Sequence, residues 1–386
     1  MAKEKSIWQR LDYGLLFILL LLSICSMAAI YSATHTNTVY GQYYFLTRQA
    51  IWYAIGFVAL FMMLVIDYRQ LKHLSIPLYL LGIIMLVLVF LFGEESKGAQ
   101  RWLSIGGGFN LQPSELMKIF LIIALAHFLI YEQAKQPAPS FKSDLLLTIK
   151  AGLITFLPFI LILRQPDLGT SLVLIAVLGI MLLVAGISWR VILLLVLLFT
   201  SLIIGLIFLY FINFDLFSKV IAAHQLERIY GWLDPYASPG EYGYQLLQAL
   251  MAIGSGHLTG KGFATGVQAR GYIPEVHTDF IFAVIGEEFG FIGTSILIAL
   301  YFILIYRLIQ IALSCNDTFG SYIVGGVIGL IVFQVFQNIG MTIGLMPITG
   351  LALPFISYGG SALLTNMMAM GLVLNVHMRS KSSMFD

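Results

Sequence analysis

LDYGLLFILLLLSICSMAAIYSA, residues 11–33, carries one charge, Asp12, and no basic residue. As a helix rising 1.5 Å per residue it reaches about 34 Å, enough to cross a hydrocarbon core of about 30 Å. Its apolar positions are continuous and do not alternate every second residue, so a strand of a membrane barrel does not fit. Lys3, Lys5 and Arg10 precede it, as in a signal peptide. The apolar stretch is longer than a signal h-region and further apolar stretches follow, so it reads as an uncleaved first span.

Working outward, ten candidate spans emerge: 11–33, 46–66, 74–92, 114–131, 145–163, 168–186, 189–213, 279–306, 319–345 and 358–378. The expected fold is an all-α polytopic membrane protein in one transmembrane domain over 1–386. Composition agrees. The chain is 59% hydrophobic and 10% charged, against about 45–50% and 25% in soluble domains, and its mean hydropathy is +0.92. A soluble enzyme, a disordered regulator and a nucleic-acid binder are excluded, the last also by a net charge of only +2. Cys25 and Cys315, the two cysteines, form no zinc or disulfide pattern.

Basic residues set the orientation. With the N-terminus inside, twelve fall in the cytoplasm: Lys3, Lys5, Arg10, Arg69, Lys72, Lys135, Lys142, Lys150, Arg190, Arg307, Arg379 and Lys381. Arg48, Lys97, Arg101 and Arg164 fall in short outer segments. Both termini are therefore cytoplasmic. Two outer segments stand out: GEESKGAQRWLSIGGGFNLQP, 93–113, and the long stretch 214–278, whose QLLQALMAIGSG (245–256) suits an interfacial helix.

Few charges remain to carry chemistry. Asp279 opens the eighth span near the outer face. With Thr278 as N-cap it would sit in the first turn, where the helix dipole favours a carboxylate. It reads either as a helix-start residue or as a general base at the lipid–water boundary. Glu287 and Glu288 lie two turns deeper, as structural hydrogen-bond partners or cavity-lining groups. Glu115 and Lys118, i and i+3 behind a Ser114 N-cap, share a helix face. They form a self-neutralising pair or a polar substrate site. Trp102 beside Arg101 is an interfacial anchor or a stacking platform for a sugar. Arg164 and Asp167 interrupt the apolar pattern, pairing with each other or lining a cavity. PITGLALPFISYGGSA, with Ser357, reads as a re-entrant segment, tolerated only when buried in protein or lining water. GHLTGKG lacks P-loop spacing, and GxxxG at Gly286–Gly290 and Gly340–Gly344 is explained by helix packing.

QRWLSIGGGFNLQPSELMK (100–118), RQPDLGTSLV (164–173), PEVHTDFIFAVIGEEFGFIG (274–293) and LMPITGLALPFISYGGS (345–361) resemble, in order, the signature blocks of the SEDS family, represented by RodA and FtsW. The resemblance implies a peptidoglycan glycosyltransferase that polymerises lipid II, the undecaprenyl-linked disaccharide-pentapeptide, at the outer face of the bacterial cytoplasmic membrane. The family's essential aspartate falls on Asp279. Its important tryptophan, glutamate and lysine fall on Trp102, Glu115 and Lys118. A class B penicillin-binding protein is the implied partner, alongside lipid II and membrane lipids, with no nucleic acid. NIGMTIGLMPITG (338–350) and GWLDPYASPGEYGYQ (231–245) look closer to the elongation member, RodA, than to FtsW.

Chemistry is consistent with this. An α-linked donor giving a β linkage inverts the anomeric centre, which needs a base on the attacking hydroxyl. The departing pyrophosphate needs positive charge, from Arg101, Lys118 or a divalent cation. No cofactor is firmly implied; Mg2+ or Mn2+ would share its coordination with the substrate phosphates. Two other classes compete: a lipid II flippase, for which Glu287 and Glu288 would extend the polar path inward, and a pure scaffold, which leaves Glu115 and Lys118 without a purpose.

Overall fold

The computed structural model describes residues 10–35, 41–96, 99–106, 109–135, 140–221, 223–237, 241–267, 272–274 and 276–380. Lys3, Lys5, Lys97 and Lys381, which entered the charge reading, lie outside the described residues. Among the described residues nine helices are long and apolar enough to cross a membrane. They include α1 (Tyr13–Thr34), α2 (Tyr44–Val65), α3 (Leu71–Phe92), α4 (Pro113–Ala134), α5 (Phe141–Arg164) and α7 (Trp189–Ile212). A shorter helix, α6 (Leu168–Val184, 17 residues), lies between α5 and α7 and spans about 25 Å, the lower limit for a crossing. All ten expected spans therefore have a helix.

Several of the sparse charges end helices. Asp12 Oδ1 accepts Leu15 N at 3.0 Å at the start of α1. Asp167 Oδ1 accepts Thr170 N at 3.1 Å at the start of α6. Each carboxylate satisfies an N–H that the helix itself leaves unpaired.

The outer segments are more ordered than loops. Three strands, β1 (Glu94–Ser96), β2 (Ala99–Gly106) and β3 (Phe109–Leu111), form an antiparallel meander, with Glu94 opposite Trp102 and Leu103 opposite Leu111. The long outer stretch holds α8 (Phe214–Val220), α9 (Ala223–Leu233) and α10 (Glu241–Ser255). The expected interfacial helix is α10, which packs on α9 and on α11 (Ile281–Ser314).

α11 is broken at Gly290, where φ is 61°. The glycine-rich loop 256–262 is strapped across the break. Phe291 N donates to His257 O at 2.9 Å and Lys261 N to Glu287 O at 3.0 Å. A Cβ on Gly290 would stand 2.4 Å from Gly260 N, so φ and close approach both demand glycine there.

The core is built from α4, α12 (Thr318–Thr342) and α13 (Gly360–Ser380). α13 packs on α2, α6 on α12 and α3 on α4. α7 is the outlier, with Val191 its one buried residue; apolar on all sides, it suits lipid on nearly every face.

Residues 343–359, between α12 and α13, are non-helical, and 353–357 within them are all buried. Their carbonyls are satisfied by side chains from the surrounding helices. Ser26 Oγ donates to Ile356 O at 2.8 Å and Gln49 Nε2 to Ser357 O at 3.3 Å. Tyr53 and Tyr301 hydroxyls donate to Phe355 O and Pro354 O. The expected re-entrant segment thus sits in protein, as irregular backbone at membrane depth must.

Two expected caps are corrected. α4 starts at Pro113 with Gln112 as N-cap, and the Ser114 hydroxyl is buried without a hydrogen bond among the described residues. Proline at the first helical position moves the boundary one residue earlier. α11 starts at Ile281 with Phe280 as N-cap, so Thr278 is not the cap and Asp279 precedes the first turn. The reason is in the carbonyls: Asp279 O accepts the Asn338 amide, whereas Phe280 O accepts Ala283 N.

Candidate active site

Asp279 is half-buried at the outer end of α11. Its carboxylate borders the re-entrant segment: a Cβ on Gly350 would lie 3.2 Å from Asp279 Oδ2. Gly350 has φ of 75°, a conformation glycine adopts freely, and its missing side chain leaves room for the carboxylate. The other wall is aromatic. Tyr358 N donates to His277 O at 2.9 Å. The His277 ring lies 4.4 Å from Phe45 and 5.4 Å from Tyr358, centroid to centroid.

The starts of α4, α6, α11 and α13 converge here. A Cβ on Gly169 of α6 would meet Leu351 and Thr349 O. Gln112 joins two more helices: its Nε2 donates to Asp167 Oδ2 at 3.0 Å and its N–H to Ser361 Oγ at 3.0 Å. One turn into α4, Lys118 Nζ lies 2.6 Å from Glu115 Oε2, with Lys118 wholly buried and Glu115 5% exposed. Neither of those atoms has a further hydrogen-bond partner among the described residues.

Arg101 and Trp102 are neighbours on β2 and face opposite sides of the strand; both are half-buried. Arg101 Nε donates to Gln165 O at 2.8 Å, and Nη2 donates to Pro166 O. The guanidinium thus ties the meander to the α5–α6 turn. Both acceptors are neutral carbonyls, so its positive charge is not cancelled by them.

One expected grouping, an Arg164–Asp167 pair, does not form among the described residues. Arg164 is exposed and makes no ion pair with Asp167 among the described residues. Asp167 is 6% exposed; its oxygens serve Thr170 and Gln112. Glu287 and Glu288 make structural hydrogen bonds, one of their two expected roles. They clasp the glycine-rich loop: Glu287 Oε1 pairs with Lys261 Nζ at 2.7 Å and accepts Val267 N at 3.0 Å. Glu288 accepts Ala264 N and Gly266 N at 3.2 Å each, and the Ser32 hydroxyl of α1. Ser357 locks its own turn, its Oγ accepting Leu353 N at 2.8 Å.

Two residues given no role by the sequence reading hold the backbone around the carboxylate. Asn338 Nδ2 donates to Asp279 O at 2.8 Å and to Leu351 O at 2.7 Å. Arg228 Nη1 donates to Ile348 O and Thr349 O at 3.3 and 3.2 Å. An amide inside an apolar span was a readable signal for Asn338. Nothing local marked Arg228.

The pattern of the FtsW/RodA/SpoVE family, described as cell cycle protein, matches residues 12–382. The chain belongs to this SEDS family. It is 39% identical over 382 residues to the peptidoglycan glycosyltransferase MrdB of Escherichia coli K12, covering 98% of this chain and 97% of that one. It is 37% identical over 382 residues to a probable peptidoglycan glycosyltransferase FtsW of Geobacter metallireducens, covering 97% and 96%. Among solved structures it resembles a chain of a peptidoglycan synthase complex that coordinates polymerisation and crosslinking (TM-score 0.79, 32% identity, 97% and 99% covered). It also resembles Thermus thermophilus RodA (TM-score 0.68, 29% identity, 97% and 99% covered). This SEDS chain is a multi-pass membrane enzyme, a peptidoglycan glycosyltransferase.

Proposed function

We propose that this SEDS chain polymerises lipid II into glycan strands at the outer face of the bacterial cytoplasmic membrane, with Asp279 as general base. The observation that carries the reading is the half-buried Asp279 carboxylate against Gly350, where four helix starts meet. The GlcNAc 4-hydroxyl of the acceptor loses its proton to Asp279 as its oxygen attacks the anomeric carbon of the donor. The bond from that carbon to the pyrophosphate oxygen breaks, and the configuration inverts. Pyrophosphate leaves as an anion. Lys118 is already neutralised by Glu115, so Arg101, whose partners are uncharged carbonyls, is assigned the stabilising charge. Trp102 is assigned to a sugar face, and the Glu115–Lys118 pair to the polar lining behind it.

Among the described residues no three His, Cys, Asp or Glu side chains converge to hold a metal. A divalent cation, Mg2+ or Mn2+, would share its coordination with the substrate phosphates and supply positive charge to the leaving group. A class B penicillin-binding protein is the proposed partner, by analogy with the synthase complex resembled above. The 231–245 and 338–350 stretches favour the elongation role over the septal one, and complementation of strains depleted of either polymerase tests that choice. The flippase reading loses support because Glu287 and Glu288, its inner polar steps, are engaged by the 261–267 loop.

Polymerisation of purified lipid II by the chain with its partner tests the base. Asp279→Asn, folded and still in complex, is expected to lose activity by at least about a hundredfold, the range of a general base. Normal activity in that variant refutes the assignment.

A further inference from the structure

We infer that Asn338 is a positioning residue for the reaction, acting through Asp279; the inference rests on the reading of Asp279 as base. Asn338 is fully buried in α12. Its amide nitrogen reaches two carbonyls on different segments, Asp279 O at 2.8 Å and Leu351 O at 2.7 Å. An –NH2 group has two hydrogens and gives one to each. Both acceptors are carbonyls, so the nitrogen, not the oxygen, must face them, and the orientation of the amide follows from the network.

The consequence is a bridge between the two pieces of backbone that frame the carboxylate. One carries Asp279. The other carries Gly350, beside Asp279 Oδ2, and Leu351. Arg228 holds the same segment from the other side through Ile348 O and Thr349 O, and its guanidinium stands 5.0 Å over the Tyr242 ring. Asp279 precedes the first turn of α11, so the helix ladder does not fix its carbonyl. Asn338 fixes it instead. Without that amide, two carbonyls lose a hydrogen-bond donor and the 279–351 spacing loses a direct tie. A displacement of about 1 Å at a reacting group can cost about a hundredfold in rate.

The experiment uses the full chain in complex with its transpeptidase partner and purified lipid II. Asn338→Leu removes both donors at similar volume. The expected result is a kcat lower by tenfold or more per folded molecule, with KM within about twofold. A kcat within threefold of wild type overturns the inference, as does a loss that merely tracks the folded fraction measured by thermal melting. Asn338→Ser is the second variant, decisive if the Leu variant fails to fold. Its hydroxyl has one hydrogen to give where the amide gives two, so one of the two carbonyls loses its donor. The expected result is a kcat lower by threefold or more per folded molecule with KM within about twofold. A kcat equal to that of wild type overturns the inference. The two readings separate cleanly: an active Asp279→Asn removes the base and this inference together, whereas an inactive Asp279→Asn with normal Asn338 variants removes only this one.

Discussion

Breaking the Glu115–Lys118 pair asks whether a buried charge pair serves stability or substrate. At 2.6 Å and an effective dielectric of about 20, the mutual attraction is about 6 kcal/mol before desolvation. Desolvating two charges offsets most of it, so the pair as a whole contributes little net stability. The asymmetry appears on removing one partner. Lys118→Met leaves Glu115 buried and uncompensated, and Glu115→Gln leaves Lys118 so; each should cost about 3–5 kcal/mol. The double variant Glu115→Gln/Lys118→Met buries no charge and should cost about 1–2 kcal/mol, far less than the sum of the singles. Reversible unfolding in mixed micelles measures all four corners of the cycle. Additive singles, or singles within about 1 kcal/mol of wild type, would refute the reasoning, because the charges would then be solvated or paired elsewhere. Lipid II polymerisation by the folded double variant then decides the role. Loss of activity with stability retained assigns the pair to substrate. Wild-type activity assigns it to folding alone.

The glycine-rich strap and the cysteines give two further tests. Gly290→Ala sets a Cβ 2.4 Å from Gly260 N at φ of 61°, so it should lower the yield of folded protein severely, and a size-exclusion profile like that of wild type would contradict the strap. Burial pushes the Cys315 thiol above its ordinary range, so little thiolate exists at neutral pH; alkylation in the folded protein should be slow at pH 7 and accelerate as pH rises toward 10, and rapid labelling at pH 7 would contradict it.

The spans were legible because bilayer thickness sets their length and hydropathy is a local property of the chain. The capping aspartates were not all legible. Asp167 reads from sequence as a partner for Arg164 three residues away, yet its oxygens are taken by Thr170 and by Gln112, 55 positions earlier. The start of α11 moved past Asp279 for the same kind of reason: a side chain from α12 claimed the carbonyl. The meander escaped notice because β1 and β3 have three residues each, too few to give a period-two signal. Asp279, Glu115 and Lys118 stood out because charge is rare in lipid. Asn338 and Arg228 act on backbone carbonyls, and which carbonyl lies opposite a side chain is decided only by packing.

That distinction bears on how polar residues in a membrane enzyme are read. A cleft open to the outer face needs irregular backbone, and irregular backbone in a bilayer needs a donor for every buried carbonyl. Here Ser26, Gln49, Tyr53 and Tyr301 meet that need for residues 354–357, and Arg228 and Asn338 do so for 348, 349 and 351. Depth alone would enrol all six as substrate contacts or as steps of a transport path. Their hydrogen-bond partners say otherwise: each holds the chain's own backbone in the shape of the site. What is left for chemistry at the outer face is small, and Asp279 is the carboxylate around which that backbone is arranged.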